Sequence, residues 1–262
     1  WTAVSCYAAL CSPDVPPVPG FPACTSGGLA RFTARIIATT VFVDFEIPLL
    51  AMTSQTSSQP SLAIPSHFDA AAAQWDQRPM SQQLAAVPAY FLEHLPWSAH
   101  EEVLDFGAGT GLLAAALAPR VAQMTAFDSS PAMLQVLQAK GVPNLRLQVG
   151  DAVVSGLPGR YHAIVSCMAL HHVADVAALL RQFVAALHPG GRVALVDLYQ
   201  EDGSFHGDNV AKGVHHSGFD PVWLQAQAQQ AGLHDVALRE VLQVQRSNGR
   251  SYPLFVLTGH TA

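Results

Sequence analysis

From residue 66 onward, apolar residues recur along the chain in two rhythms. Short runs rich in Val, Ile, Leu and Phe predict strands at 101–107 (EEVLDFG), 121–128, 145–150, 161–167 and 192–199. Between them, apolar positions spaced three and four apart predict helices at 68–77, 81–95, 111–119, 130–140, 173–191 and 220–232. Ser130 stands as an N-cap before Pro131. Pro189, Gly190 and Gly191 stop the 173–191 helix. Repeated strand–helix alternation predicts a mostly parallel sheet with helices on both faces. Two last strands, near 234–245 and 252–258, are separated by little more than Ser247, Asn248 and Gly249. That leaves no room for a crossover helix, so the pair is expected to be antiparallel.

The first strand ends in VLDFGAGTG, 103–111, with glycine at 107, 109 and 111. Each glycine costs backbone entropy on ordering, so the backbone there is expected to be bare for a reason. A glycine turn between a strand and its helix is where open α/β sheets hold ligands. The spacing is D-x-G-x-G-x-G and not the G-x-G-x-x-G of dinucleotide sites. Counted from Gly107, the sixth residue is Leu112. A second acid, Asp128, ends the next strand, where a carboxylate can take both hydroxyls of a ribose.

Residues 1–51 break the alternation. They carry the proline-rich DVPPVPGFP and no lysine or arginine before Arg31, which makes a poor signal peptide. Met52 opens a polar stretch, MTSQTSSQP. The expectation is an upstream extension at 1–51, a flexible leader at 52–65 and one domain at 66–262.

Composition narrows the partners. Half of the 262 residues are hydrophobic and 12% are charged, ample for a large core. The net charge is −6, Lys140 and Lys212 are the only lysines, and no basic stripe is visible. A nucleic-acid partner is therefore not expected. No apolar stretch approaches the ~18 residues of a membrane span. Three of the four cysteines fall in the first 24 residues and Cys167 stands alone, so a reducing, cytoplasmic setting is expected.

With these motifs in order, the chain resembles the class I S-adenosylmethionine-dependent methyltransferases. The resemblance rests on VLDFGAGTG (103–111), TAFDSSPAML (125–134), VGDA (149–152), YHAIVSCMALHHV (161–173) and LHPGGRVALVD (187–197). It is nearest to the small-molecule branch related to the quinone-biosynthesis enzymes. It implies a Rossmann-like seven-stranded sheet with an antiparallel last strand. It also implies roles. Asp105, Gly107, Ala108, Gly109 and Gly111 would hold the methionine end of S-adenosyl-L-methionine. Asp128 would bind the ribose, with Ser129 and Met133 beside the adenosine. Asp151 and Ala152 would meet the adenine. Ser166, Cys167 and Met168 would face cofactor and substrate.

Further candidates follow the strands. His171 is the leading general base and Tyr199 and Glu201 are weaker ones. His172 is expected in the substrate pocket, and Phe68 and Trp75, one heptad apart, are expected to form a lid with the loop 200–218. No metal is expected: among His171, His206, His215 and His216 no pair has the i, i+4 spacing of a helical metal motif. The expected acceptor is a small molecule. A non-catalytic cofactor-binding regulator and a nucleotide-dependent dehydrogenase are the alternatives.

Overall fold

The computed structural model describes residues 66–262. The expectations for 1–51 and 52–65 lie outside the described residues. The sheet has seven strands: β1 (Glu102–Phe106), β2 (Gln123–Asp128), β3 (Leu145–Val149), β4 (Tyr161–Cys167), β5 (Leu187–Leu198), β6 (His234–Gln245) and β7 (Ser251–His260). Their order is β3-β2-β1-β4-β5-β7-β6. β1 to β5 run parallel, and β7 lies antiparallel between β5 and β6. The seven-stranded, Rossmann-like sheet with an antiparallel end is therefore as the sequence predicts.

Alternation along the strands builds two cores, one on each face. In β1, Val103 packs with α3 (Val87–His94), α4 (Leu112–Leu117) and α5 (Pro131–Ala139), while Leu104 and Phe106 pack with α7 (Val176–Ala186) and α8 (Pro221–Gln230). Phe91, Leu117 and Leu137 seal the first core, and Phe183, Phe219 and Phe255 the second. Strands buried on both faces read as continuous apolar runs, which is why the parallel strands were visible in sequence. Ser130 caps α5 by accepting from the Met133 amide, and Asp220 caps α8 from Trp223, as local sequence dictates.

Element boundaries depart where proline or pairing intervenes. The expected 81–95 helix is two, α2 (Pro79–Leu84) and α3, because Pro88 lacks the amide a continuous helix needs. The expected 68–77 helix is α1 (His67–Ala71) followed by a 3₁₀ segment to Gln77. The 173–191 helix stops at Ala186, because Leu187 already pairs with Tyr161 in the sheet. Pro189, Gly190 and Gly191 then fall in the bulge before Arg192 rejoins Ala163. A one-turn α6 (Ala152–Ser155) and a 3₁₀ turn at Leu170–His172 carry no periodic signal.

The loop 200–218 is better anchored than its composition suggests. Phe205 is buried edge-on against Tyr252, and Arg250 pairs with Asp202. The loop closes at Gly218, which has φ +71° and would place a Cβ 2.1 Å from the Tyr199 carbonyl oxygen. Gly218→Ala is expected to destabilise the fold by more than ~1 kcal/mol, because neither the backbone conformation nor the space suits a side chain. In thermal unfolding this means a drop of at least about 2–4 °C. A melting temperature equal to wild type would show that the loop can shift without penalty.

Candidate cofactor and acceptor site

Strand order reverses between β1 and β4, and the crevice beyond their carboxyl ends is the ligand position of open α/β sheets. A cavity of about 880 Å³ lies there. The glycine turn forms one wall, and Asp128, Ser129 and Met133 continue it from the end of β2 into α5. Asp151 and Ala152 close one end. Cys167, Met168, Ala169 and His172 come from the end of β4, and Phe68, Trp75 and Asp76 from the segment before the sheet.

The three glycines are bare for different reasons. A Cβ on Gly107 would fall 2.3 Å from that of Ala169, and one on Gly111 would strike the Leu137 side chain at 2.2 Å. Those two allow close packing of the turn against β4 and α5. A Cβ on Gly109 would meet no atom within 4 Å, although φ is +54°. Gly109 therefore leaves open the space a ligand would fill.

Asp128 organises the turn. Its Oδ2 accepts from the Gly109 amide at 2.8 Å and its Oδ1 from the Ser130 amide at 2.8 Å. The amides of Gly107 and Ala108 both donate to the Phe127 carbonyl. Burial pushes the Asp128 carboxyl upward from its usual range, and the Ser130 and Gly109 amides oppose that rise. Asp151 accepts from the Val153 amide at 2.8 Å, so it caps α6 while lining the cavity.

Besides the weaker candidate Glu201, four expected site residues sit off the wall. Asp105 is buried beneath the turn and accepts from the Ala114 amide at 2.9 Å. Burial raises its pKa to about 8; the Ala114 bond opposes this and the nearby Asp128 charge adds to it. Ser166 is buried and donates to the Phe106 carbonyl, locking β4 to β1. His171 is buried with its Nδ1 2.7 Å from Asp197 Oδ1. Tyr199 packs edge-on against Phe255 and bridges to Phe219. Any reach of these four to a ligand is indirect, so they position the wall without forming it. Cys167 does reach the cavity, but burial pushes its thiol far up, so it stays protonated and is no nucleophile.

The structure adds residues that sequence reading missed. Thr110 donates to Asp76, whose other oxygen lies 2.7 Å from Lys140 Nζ, and Ser130 donates to Asp69. These bonds latch α1 and its 3₁₀ extension to the glycine turn and to α5. The sequence signal was weak, because the partners lie 34 to 64 positions apart. Met168 holds φ +60° at the cavity wall, a strained conformation worth about 1–3 kcal/mol, imposed while its amide donates to Val196. Phe68 stands edge-on to His172 at 5.0 Å and tilted to Trp75 at 5.8 Å.

Residues 73–238 match a family described as "Methyltransferase domain". The chain belongs to the methyltransferase family. The motif order and sheet place it in the S-adenosylmethionine-dependent class I group. It is 35% identical over 146 residues to the biotin biosynthesis bifunctional protein BioCD of Bordetella avium, covering 54% of this chain and 31% of that protein. It is 29% identical over 178 residues to a ubiquinone biosynthesis O-methyltransferase of Xanthomonas euvesicatoria, covering 61% and 74%. The solved DhpI–SAH complex shares the fold, with TM-score 0.60 and 20% identity over 74% of this chain and 93% of that one. The chain spans less than half the length of several of the curated relatives it matches.

Two outcomes test this methyltransferase's glycine turn and its buried acid. Gly109→Ala is expected to weaken S-adenosylhomocysteine binding at least about tenfold, or 1.4 kcal/mol, with a small loss of melting temperature. Gly111→Ala is expected to do the reverse, since its methyl meets Leu137. Equal behaviour of the two variants in calorimetry and thermal unfolding would refute the distinction. Asp105 has a folded pKa of about 8 against the ordinary 3.8, so ionising it opposes folding. Its contribution to stability is full below the ordinary value and falls as pH rises toward about 8. Asp105→Asn is therefore expected to gain melting temperature relative to wild type at pH 8 and not at pH 4. A pH-independent difference would show that Asp105 is ionised throughout.

Proposed function

We propose that this domain transfers a methyl group from S-adenosylmethionine to a small, partly apolar acceptor. The observation that carries this reading is the cavity's two-ended character. One end has the open space at Gly109 with the carboxylates of Asp128 and Asp151; the other has Phe68, Trp75, Met168 and His172. The carboxylate end suits a nucleoside, whose ribose hydroxyls and exocyclic amine are donors. The aromatic end suits an acceptor with an apolar body. Lys140 is the one lysine or arginine on this wall among the described residues, and Asp76 already pairs with it. A highly charged anionic acceptor would find no free counter-charge there.

When bound, the cofactor supplies a methyl already activated on a sulfonium. The residues of this chain then need chiefly to align the acceptor and exclude water. Alignment contributes roughly 7–11 kcal/mol in well-oriented reactions. Phe68 and Trp75 cover the acceptor end, held there by the Asp69–Ser130 and Asp76–Thr110 bonds. The imidazoles of His172 and His215 line this wall, and burial lowers the pKa of the His172 ring to about 4. His172 is therefore a neutral hydrogen-bond partner at physiological pH and a weak base. Among the described residues no helix is long and apolar enough to cross a membrane. We place the reaction in the cytoplasm on the cysteine usage. The biotin- and ubiquinone-pathway proteins among the relatives act in small-molecule biosynthesis by name, which supports a small acceptor.

The deciding experiment is a coupled assay for S-adenosylhomocysteine release across a library of small metabolites. Turnover of a member is expected, and Trp75→Ala is expected to lower that turnover more than tenfold while the melting temperature changes by only a few degrees. Binding of the cofactor with no turnover of any acceptor would favour a regulator. Binding of NADH in place of S-adenosylmethionine would favour a dehydrogenase. Unfolding of Trp75→Ala would show that the tryptophan packs and does not gate.

A further inference from the structure

Behind the acceptor end of the cavity, three histidines from two separate segments meet. His171 and His172 come from the 3₁₀ turn after β4, and His206 from the loop after β5. One ring nitrogen of each lies within 4.8 Å of those of the other two. The His171 and His172 ring centroids are 4.2 Å apart, and those of His171 and His206 4.8 Å. This trio differs from the set weighed in sequence: His216 turns its Nε2 to the Val173 and Ala174 carbonyls, and His215 joins the cavity wall.

Hydrogen bonding fixes what the rings offer one another. Nδ1 of His171 lies 2.7 Å from an Asp197 carboxylate oxygen, which only accepts when ionised, so that nitrogen carries the proton. Nδ1 of His172 lies 2.9 Å from the Gly213 carbonyl and must donate as well. Each neutral ring is left with a lone pair at Nε2. His206 adds a buried Nδ1 with no partner. One ring N–H on His206 can satisfy at most one of the two facing lone pairs. Two of the three convergent imidazoles have their outer protons committed and His206 has no ring partner, so the trio is best satisfied around a shared cation. Asp197 against His171 is the carboxylate–histidine arrangement that orients metal-bound imidazoles, and a backbone carbonyl does the same for His172. Asp197 is fully buried and also accepts from the Leu198 and His171 amides, so its position is fixed.

We propose that His171, His172 and His206 bind a divalent first-row transition ion, zinc by preference, whose open coordination position holds the acceptor's ionisable O–H or S–H group. The proposal rests on the methyltransferase reading above and names its acceptor class. Neutral imidazole donors suit zinc, copper, nickel, cobalt or iron and not magnesium or calcium. Three protein nitrogens leave a fourth position, the pattern of catalytic and not structural zinc. Bond lengths near 2.0–2.1 Å would draw the nitrogens to about 3.3 Å apart, a movement of side chains on a loop and a short turn. His172 is the member on the cavity wall, so the open position is reached from the acceptor end. The balance is simple. On ligation the acceptor's proton passes to solvent, and its freed lone pair forms the bond to the methyl carbon. The carbon–sulfur bond breaks with its electron pair remaining on sulfur, which leaves a neutral thioether.

The test uses the full chain without a histidine tag, stripped with EDTA and titrated with cobalt(II). Wild type is expected to bind one cobalt per chain with the visible absorption of a nitrogen-ligated, low-coordinate ion. His206→Ala is expected to lose that absorption while S-adenosylhomocysteine affinity, read by calorimetry, stays within about twofold. Asp197→Asn is expected to weaken cobalt about 10–100-fold, because the imidazole loses its orienting carboxylate. Wild type with no stoichiometric cobalt, or His206→Ala with an unchanged spectrum, overturns the site. Should His206→Ala fail to fold, the wild-type titration and Asp197→Asn still decide. Adding 2-mercaptoethanol to the cobalt protein is expected to shift the spectrum as a thiolate enters the open position. An unchanged spectrum overturns the acceptor role. Loss of S-adenosylhomocysteine binding in wild type would instead count against the methyltransferase reading, and the cobalt spectrum is read independently of it.

Discussion

The carboxylate of Asp128 is the point on which the site depends. It spans the gap between the end of β2 and the glycine turn that leaves β1, accepting from Gly109 on one side and Ser130 on the other. Those bonds fix the turn that carries α4 and the cap that starts α5. The same residue lines the cavity, so the group that would meet a ribose also holds the backbone that would meet the rest of the ligand. Its carboxylate has lone pairs to spare after two amide bonds, which lets one residue serve both roles.

Around that point the protein keeps several unfavourable features in place. Asp105 is buried with its pKa raised to about 8, and Met168 holds a left-handed backbone. Both lie at the carboxyl ends of β1 and β4, within the crevice region. The two cores on either side of the sheet supply the stability that sustains them, through Phe91, Leu137, Phe183 and Phe255.

The two ends of the cavity are built on different principles. The Asp128 end uses main-chain amides and strand-end carboxylates presented by the sheet. The Phe68 end uses side chains from outside it: α1 and its extension, the turn after β4, and the loop after β5. Polar latches, Asp69 with Ser130 and Asp76 with Thr110 and Lys140, join the two. Part-buried side-chain latches of this kind open more readily than the strand ladder of the sheet.

The sequence by itself determined the sheet and its antiparallel end, and it singled out the glycine turn and the strand-end acids Asp128 and Asp151 that line the cavity. Apolar periodicity is a local signal, and glycines and acids at strand ends lie within the motif they serve, as VLDFGAGTG and TAFDSS do. The cap at Ser130 was legible for the same reason. Tertiary structure alone decided which residues reach the cavity. Asp105, Ser166, His171 and Tyr199 stand at motif positions, yet strand pleat and packing turn them inward to Ala114, Phe106, Asp197 and Phe255. It also decided the histidine trio, because His206 lies 34 positions beyond His172. Side-chain groups that meet only across loops leave no periodic trace, since their approach is fixed by how the chain folds back and not by spacing along it.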